Sequence, residues 1–296
     1  MNTGFTRNHP ITQLVFFVSV IGVNMIILHP VFLLISFIGG ASYICCISGF
    51  GKMFKLLGFN SVTALMIIII NPLISHGGVT VLTYLPDGNP LTLESIIFGC
   101  AAAVLMTVMI NWFSCINKLM TSDRIIYLFG KPAPKLALLI SMVLNFSGKL
   151  SAHYKEVKDA RECLYRASGK KGLIARLRNS VTVFSSIIQW SLENSVDTAD
   201  SMISRGYCSG KRTSFDLFMF RKQDIVVTAL FLVIDVYIIY SYINDMISFS
   251  YYPVFTIGIN STGAYIAFVL FFILCMTPYL TEKREARKWK YLQSRI

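Results

Sequence analysis

Six stretches of roughly twenty residues, at 11–28, 31–50, 57–74, 93–113, 225–243 and 264–280, run with almost no charge. A helix crossing hydrocarbon needs about 20 mostly apolar residues, because each backbone N–H and C=O must find its partner inside the segment. The blocks predict an all-α polytopic membrane protein with about six transmembrane helices. Only 14% of the 296 residues are charged and 54% are apolar or aromatic, against about 25% charged in soluble domains, which excludes an ordinary soluble fold. The first block follows Arg7 as a secretory signal would. No small-residue cleavage site follows it, and His29-Pro30 leads straight into the next block, so it is read as a span.

With so little charge, the location of the net +12 becomes informative. The connections at 29–30, 75–91 and 244–263 contain no Lys or Arg, and all 27 cations fall in the alternate connections and the termini. Short loops rich in Lys and Arg stay in the cytoplasm. Both termini are therefore expected to be cytoplasmic. The segment 136–146 is apolar but has only eleven residues and has Lys135 and Lys149 on its flanks. It is read as a buried or interfacial helix, with a re-entrant segment as the alternative.

The division expected is 1–116 for the first four transmembrane helices, 117–222 for a basic cytoplasmic region, and 223–296 for the last two helices and a basic tail. The middle region holds 18 of the 27 cations. Val181, Phe184, Ile187, Ile188, Leu192, Val196, Ala199 and Ile203 recur three to four apart, which predicts a long amphipathic helix from Ser180 onward. It stops at Ser204-Arg205-Gly206, where Gly206 supplies a left-handed closing residue and Arg205 meets the negative end of the helix dipole. A second helix is predicted over 147–165, with Leu150, Tyr154, Val157 and Leu164 on one stripe and Gly169 and Gly172 beyond it. Trp190 and Phe184 are read as helix packing.

No catalytic or cofactor pattern stands out. Gly148-Lys149, Gly169-Lys170 and Gly210-Lys211 each lack the upstream Gly and the following Ser or Thr of a phosphate-binding loop. HExxH and GxSxG are absent as well. Seven Cys form no CxxC pair, and the four His have no zinc-ligand spacing, so neither a metal nor a cofactor is expected. Nucleic acid is a poor partner for cations that are tethered at a bilayer and not interleaved with exposed aromatics. Asp235 is the only acidic residue well inside a predicted span; a carboxylate there suggests function, and an interhelical hydrogen bond explains it equally well.

Several stretches carry a family resemblance. They are Asn71-Pro72-Leu73, 76–82 from His76 to Leu82, Gly88-Asn89-Pro90-Leu91-Thr92-Leu93-Glu94, Thr121-Ser122-Asp123-Arg124, Leu128-Phe129-Gly130 and Ser141-Met142. Further on come Trp190-Ser191-Leu192-Glu193-Asn194, Thr198-Ala199-Asp200-Ser201-Met202, Ser204-Arg205-Gly206-Tyr207 and Arg212-Thr213. Over most of 71–213 the chain resembles the transmembrane T component of energy-coupling factor (ECF) transporters, the bacterial uptake systems for vitamins and some metal ions. The resemblance implies a cytoplasmic coupling region of two helices. Each ends near an Ala/Ser-Arg-Gly/Ser triplet that docks in a groove of one of two ABC-type ATPase subunits.

Ser204-Arg205-Gly206 fits the second triplet. For the first, Ala160-Arg161-Glu162 lacks the final Gly or Ser, and Arg166 is the substitute. The further partners implied are the lipid bilayer of the bacterial cell membrane and a substrate-binding membrane subunit. On this reading the chain is a scaffold and not an enzyme. The rivals are a polytopic enzyme of lipid metabolism, with the basic region gripping anionic headgroups, and a self-sufficient ion-coupled carrier using Asp235.

Overall fold

The computed structural model describes residues 4–5, 8–75, 77–84, 90–130, 132–167, 172–207, 218, 220–253, 256–259 and 262–293. Nine helices and two hairpins are found among them. They are α1 (Pro10–Ile26), α2 (Pro30–Ser48), α3 (Phe50–Ile74), β1 (Val81–Tyr84), β2 (Pro90–Thr92), α4 (Leu93–Leu119), α5 (Ser122–Gly130), α6 (Pro134–Ala167), α7 (Leu173–Ser204), α8 (Lys222–Ile243), β3 (Ile247–Ser250), β4 (Thr256–Ile259) and α9 (Thr262–Gln293). Both hairpins are antiparallel two-stranded ribbons. Six of the described helices are long and apolar enough to cross a membrane, and the chain is an all-α multi-pass membrane protein.

Five of these six are spans that the sequence predicts; α6 also qualifies by length and composition, and the remaining predicted span, α1, is a shorter apolar helix of 17 residues packed along α8. The apolar stretch 136–146 and the amphipathic stretch 147–165 are one continuous helix of 34 residues. Nothing between them stops it: the junction offers only Gly148, and a lone interior Gly costs about 1 kcal/mol, too little to break a long helix. Helix α7 likewise begins at Leu173, seven residues ahead of the predicted start, and α3 takes in Lys52 and Lys55, which the sequence reading placed in a connection. Gly49 alone joins α2 to α3, at φ +80°.

By contacts the chain divides into two compact units. The first holds 1–124 and 218–296. In it α3 lies along α4, α2 along α9 and α4, and α1 along α8, with α8 also touching α9. Trp112 on α4 is fully buried at the centre, edge-on to Phe16 of α1 with 5.6 Å between centroids.

Lipid tails are as apolar as Leu, so burial alone does not tell one helix face from another, and small side chains and interhelical hydrogen bonds take over. The contacts follow that rule. Trp112 Nε1 donates to Ser36 Oγ at 2.8 Å, and Asn24 Nδ2 donates to the same oxygen at 2.8 Å, joining α4, α2 and α1. Asn60 Nδ2 donates to Asn111 Oδ1 at 3.2 Å between α3 and α4. Thr12 and Thr228 hydroxyls meet at 2.8 Å between α1 and α8. A Cβ on Gly39 of α2 would stand 2.8 Å from Cβ of Cys275 on α9, which marks a close backbone crossing. The outer faces of α3, α8 and α9 remain apolar and exposed, as at Val62, Leu65, Val233 and Val269. Such faces suit a bilayer and not water.

The second unit, 125–217, is built on α6 against α7. Trp190 of α7 stacks on His153 at 4.3 Å and on Phe146 at 5.8 Å, both from α6. Ile187 and Val183 are buried one and two turns earlier. Trp190 is thus a packing residue, but its partners are on α6, and Phe184 is exposed.

Candidate functional site

Helix α7 ends in a closed Schellman turn. Arg205 is its C-cap, at φ −82° and ψ 7°, and Gly206 follows at φ +81°. The Gly206 N–H donates to Ile203 O at 2.9 Å, and the Tyr207 N–H donates to Met202 O at 3.0 Å. This 5→2 and 6→1 pair satisfies carbonyls that an α-helix end leaves open, and only a residue tolerant of the left-handed region supplies the turn. Ser204 Oγ donates to Ser201 O at 3.0 Å. Ser204, Arg205 and Gly206 are all exposed. The result is a rigid tip that fixes the Arg205 backbone while the guanidinium, with its planar array of five donors, stands at the end of a 32-residue helix.

The alternative positions for the first triplet both fall on α6. Ala160 is exposed, and Arg161 and Glu162 are half-buried. Arg161 and Arg166 both lie on α6, whose described residues run to Ala167. His76, Gly88, Asn89, Arg212 and Thr213 of the motif stretches lie outside the described residues. Among the described residues, no three or more His, Cys, Asp or Glu side chains come together as a possible metal site.

The chain leaves the first unit at Arg124 and returns to it at 218. Arg124 Nη1 donates to Gln13 Oε1 of α1 at 2.5 Å, and its guanidinium stands 6.0 Å from the centre of the Phe218 ring. Gln13 is itself fully buried and donates to Phe5 O at 2.7 Å. One arginine thus pins the exit and the re-entry of the chain to the first unit's core. Burial lowers its pKa below the ordinary guanidinium range, with a smaller opposing effect from Tyr43.

Asp235 on α8 accepts a short hydrogen bond from Ser19 Oγ on α1. It is half-buried, and its other oxygen has no hydrogen-bond partner among the described residues. This is an α1–α8 clasp of the same kind as Thr12 with Thr228. Interhelical hydrogen bonds of this type average about 0.6 kcal/mol and reach about 1.7. Asp235→Asn keeps an acceptor and is expected to lower the unfolding free energy of the chain in detergent by no more than that. A larger loss would show that the carboxylate does more than clasp the two helices.

The three connections without Lys or Arg meet at one end of the first unit. Tyr251 OH donates to Leu28 O at 2.9 Å, and the Tyr252 and Ser75 hydroxyls lie 3.1 Å apart. Phe98 stands edge-on to Tyr251 at 5.4 Å. The described parts of the motif stretches, 77–82 and 90–94, form a cradle here with Ser75 and Ser95. Thr92 Oγ1 donates to Gly77 O at 2.8 Å, Ser95 Oγ donates to Ser75 O at 2.6 Å, and the Thr80 N–H donates to the buried Glu94 carboxylate at 3.3 Å. Gly78, at φ +137°, packs so closely that a Cβ would fall 2.5 Å from Glu94 Oε2. Gly77-Gly78, Thr92 and Glu94 are thus tied together as loop architecture. Burial pushes the Tyr251 hydroxyl up to about 12.

His29 caps α2 at this end: its Nδ1 accepts the Val31 N–H at 3.2 Å, and its ring lies among Phe32, Phe249 and Phe268. Desolvation by burial lowers its pKa below the ordinary 6.5. A buried base with a depressed pKa stabilises the fold fully above the unfolded value, and that stability is lost as pH falls below about 6.5. Protonating Nδ1 also removes the cap. The melting temperature of wild type is expected to drop more than that of His29→Asn when pH is lowered from about 7.5 to about 5.5, since Asn caps without titrating. Equal drops would assign the pH dependence elsewhere.

The polar residues within spans, Asn24, Ser36, Asn60 and Asn111, were not singled out from sequence. Their signal was present: a polar side chain inside a twenty-residue apolar block needs a partner. No family model matches the chain, and no curated protein matches it.

Proposed function

We propose that the chain is the transmembrane T component of an ECF-type uptake transporter in a bacterial cell membrane, with both termini in the cytoplasm. It acts as scaffold and energy-coupling subunit. Two ABC-type ATPase subunits dock on the helical region between α4 and α8, and a substrate-binding membrane subunit docks on the spans and on the apolar faces of α6 and α7. The transported solute is a vitamin or metal ion selected by that other subunit.

The observation that carries the reading is the tip of α7. Ser204-Arg205-Gly206 closes a 32-residue helix in a Schellman turn with Arg205 exposed at its end. A chain without a phosphate-binding loop must receive the work of ATP hydrolysis through contacts, and a stiff helix with an arginine tip is a lever suited to that. For the other contact, Arg161 is the candidate on α6, with Arg166 as its substitute. Leu177, Val181, Ile188, Leu192 and Val196 leave an exposed apolar stripe along α7, in addition to the face packed on α6. That stripe suits an apolar partner helix.

The test is affinity purification of the full chain from its native membranes in mild detergent. Two ATP-binding subunits and one further membrane protein are expected to stay with it. Uptake of a solute into liposomes by the purified chain alone would overturn the reading in favour of a carrier.

A further inference from the structure

The hairpin β1–β2 carries an apolar surface that the uptake reading does not use. Strand β1 is an outer strand: it pairs with β2, which in turn packs on α3 and α4. All four residues of β1 are exposed, and Val79 just before it is exposed too. Val79, Leu82 and Tyr84 are 65%, 57% and 69% accessible. Strict alternation would send Val81 and Leu82 to opposite faces. Between Val81 and Thr83, however, the register slips by one residue, so Leu82 is an extra residue in a bulge. A bulge re-aims side chains and twists the strand locally.

The position of this surface decides what covers it. Residue Thr92 of β2 is followed directly by Leu93, the first residue of the membrane-crossing helix α4. The Leu93 N–H donates to Thr80 O at 3.1 Å, and Val81 pairs with Thr92. Neighbouring strands lie about 4.8 Å apart, so β1 stands within a strand's width of the start of a span. Leu93, and Leu73 and Ile74 at the end of α3, are exposed as well, so the patch continues the lipid-facing surface of the helices. The stretch 75–92 has no Lys or Arg, so attraction to anionic headgroups is not available to it. Apolar and aromatic side chains at the end of a span suit the boundary between headgroups and acyl chains.

We infer that β1 is an interfacial membrane anchor: Val79, Val81, Leu82 and Tyr84 insert into the bilayer boundary beside α3 and α4 and hold the cation-free end at a fixed depth. The occupant of the patch is phospholipid, not a second polypeptide. The anchor holds whether or not the chain couples to ATPases.

Photo-cross-linking of the full chain tests it. Leu82→p-benzoylphenylalanine is irradiated in native membranes and, after purification, in phosphatidylcholine vesicles, with Ile69→p-benzoylphenylalanine on the exposed face of α3 as the lipid-facing reference. The expected result is a phospholipid adduct in both settings, at a yield within about threefold of the reference and unchanged by anionic lipid. Tyr84→p-benzoylphenylalanine, the closer match in shape to the native side chain, is expected to give the same. A cross-link to another polypeptide in native membranes, or a lipid yield about tenfold or more below the reference, overturns the inference. Neither result bears on ATPase retention, which rests on α7.

Discussion

Arg205→Glu is expected to strip the ATP-binding subunits from the purified complex while leaving the chain folded. Two magnitudes separate these effects. As a helix-end cation Arg205 contributes about 0.3 to 1 kcal/mol, because it sits exposed in solvent where the dipole is screened. As a desolvated contact in a partner groove, losing it would cost about 2 to 5 kcal/mol, and placing a carboxylate there adds repulsion. At about 1.4 kcal/mol per tenfold, retention should fall at least about 30-fold. The melting temperature of the isolated chain should barely move, since the turn is held by main-chain bonds of Gly206 and Tyr207 and not by the Arg205 side chain. The measurements are subunit stoichiometry after affinity purification and thermal unfolding of the same preparation. Undiminished ATPase retention would remove Arg205 from the contact. The same change at Arg161 and at Arg166, made separately, is expected to weaken retention at one of them and spare it at the other, which assigns the first triplet.

Trp112→Ala is expected to produce the largest loss of stability in the first unit. Truncating a buried Trp or Phe costs about 3 to 5 kcal/mol in soluble cores, of which part is transfer from water and part is the cavity. Helices that separate in a bilayer or micelle stay in an apolar medium, so most of the transfer part is absent. The low end, about 3 kcal/mol, is therefore the expectation. Trp112 is fully buried, meets Phe16 and Phe17, and holds Ser36 through Nε1, so its cavity lies where α1, α2 and α4 meet. Trp112→Phe keeps most of the volume and loses one hydrogen bond, worth about 0.5 to 1.5 kcal/mol. Unfolding by a denaturing detergent, followed by the near-ultraviolet signal of the aromatic cluster, measures both. If the two substitutions cost the same, packing at Trp112 is not what holds these helices together.

The apolar blocks, the charge asymmetry and the period of α7 could all be read from the linear sequence, because each depends on a local rule. A span needs a continuous apolar run, a cytoplasmic loop needs Lys and Arg, and an amphipathic helix needs apolar residues three to four apart. The α7 terminus was legible for the same reason: Ser204-Arg205-Gly206 is a self-contained stop signal. Boundaries were less so. Lys52 and Lys55 were read as a connection although they ride on α3, and Leu136 to Phe146 was separated from the helix it begins, since charge spacing marks where a helix meets water and not where it ends.

Which helix faces meet was decided only by the tertiary structure. In an apolar medium every face of α1, α4 or α8 is equally hydrophobic, so no periodicity predicts that Ser19 finds Asp235, that Asn60 finds Asn111, or that Ser36 receives both Asn24 and Trp112. The same holds for the end without cations. In the sequence Leu28 lies 223 residues from Tyr251 and Ser75 lies 177 from Tyr252, and the fold alone brings each pair within hydrogen-bonding distance. Polar groups inside a span must be satisfied, but which partner satisfies them is a property of packing.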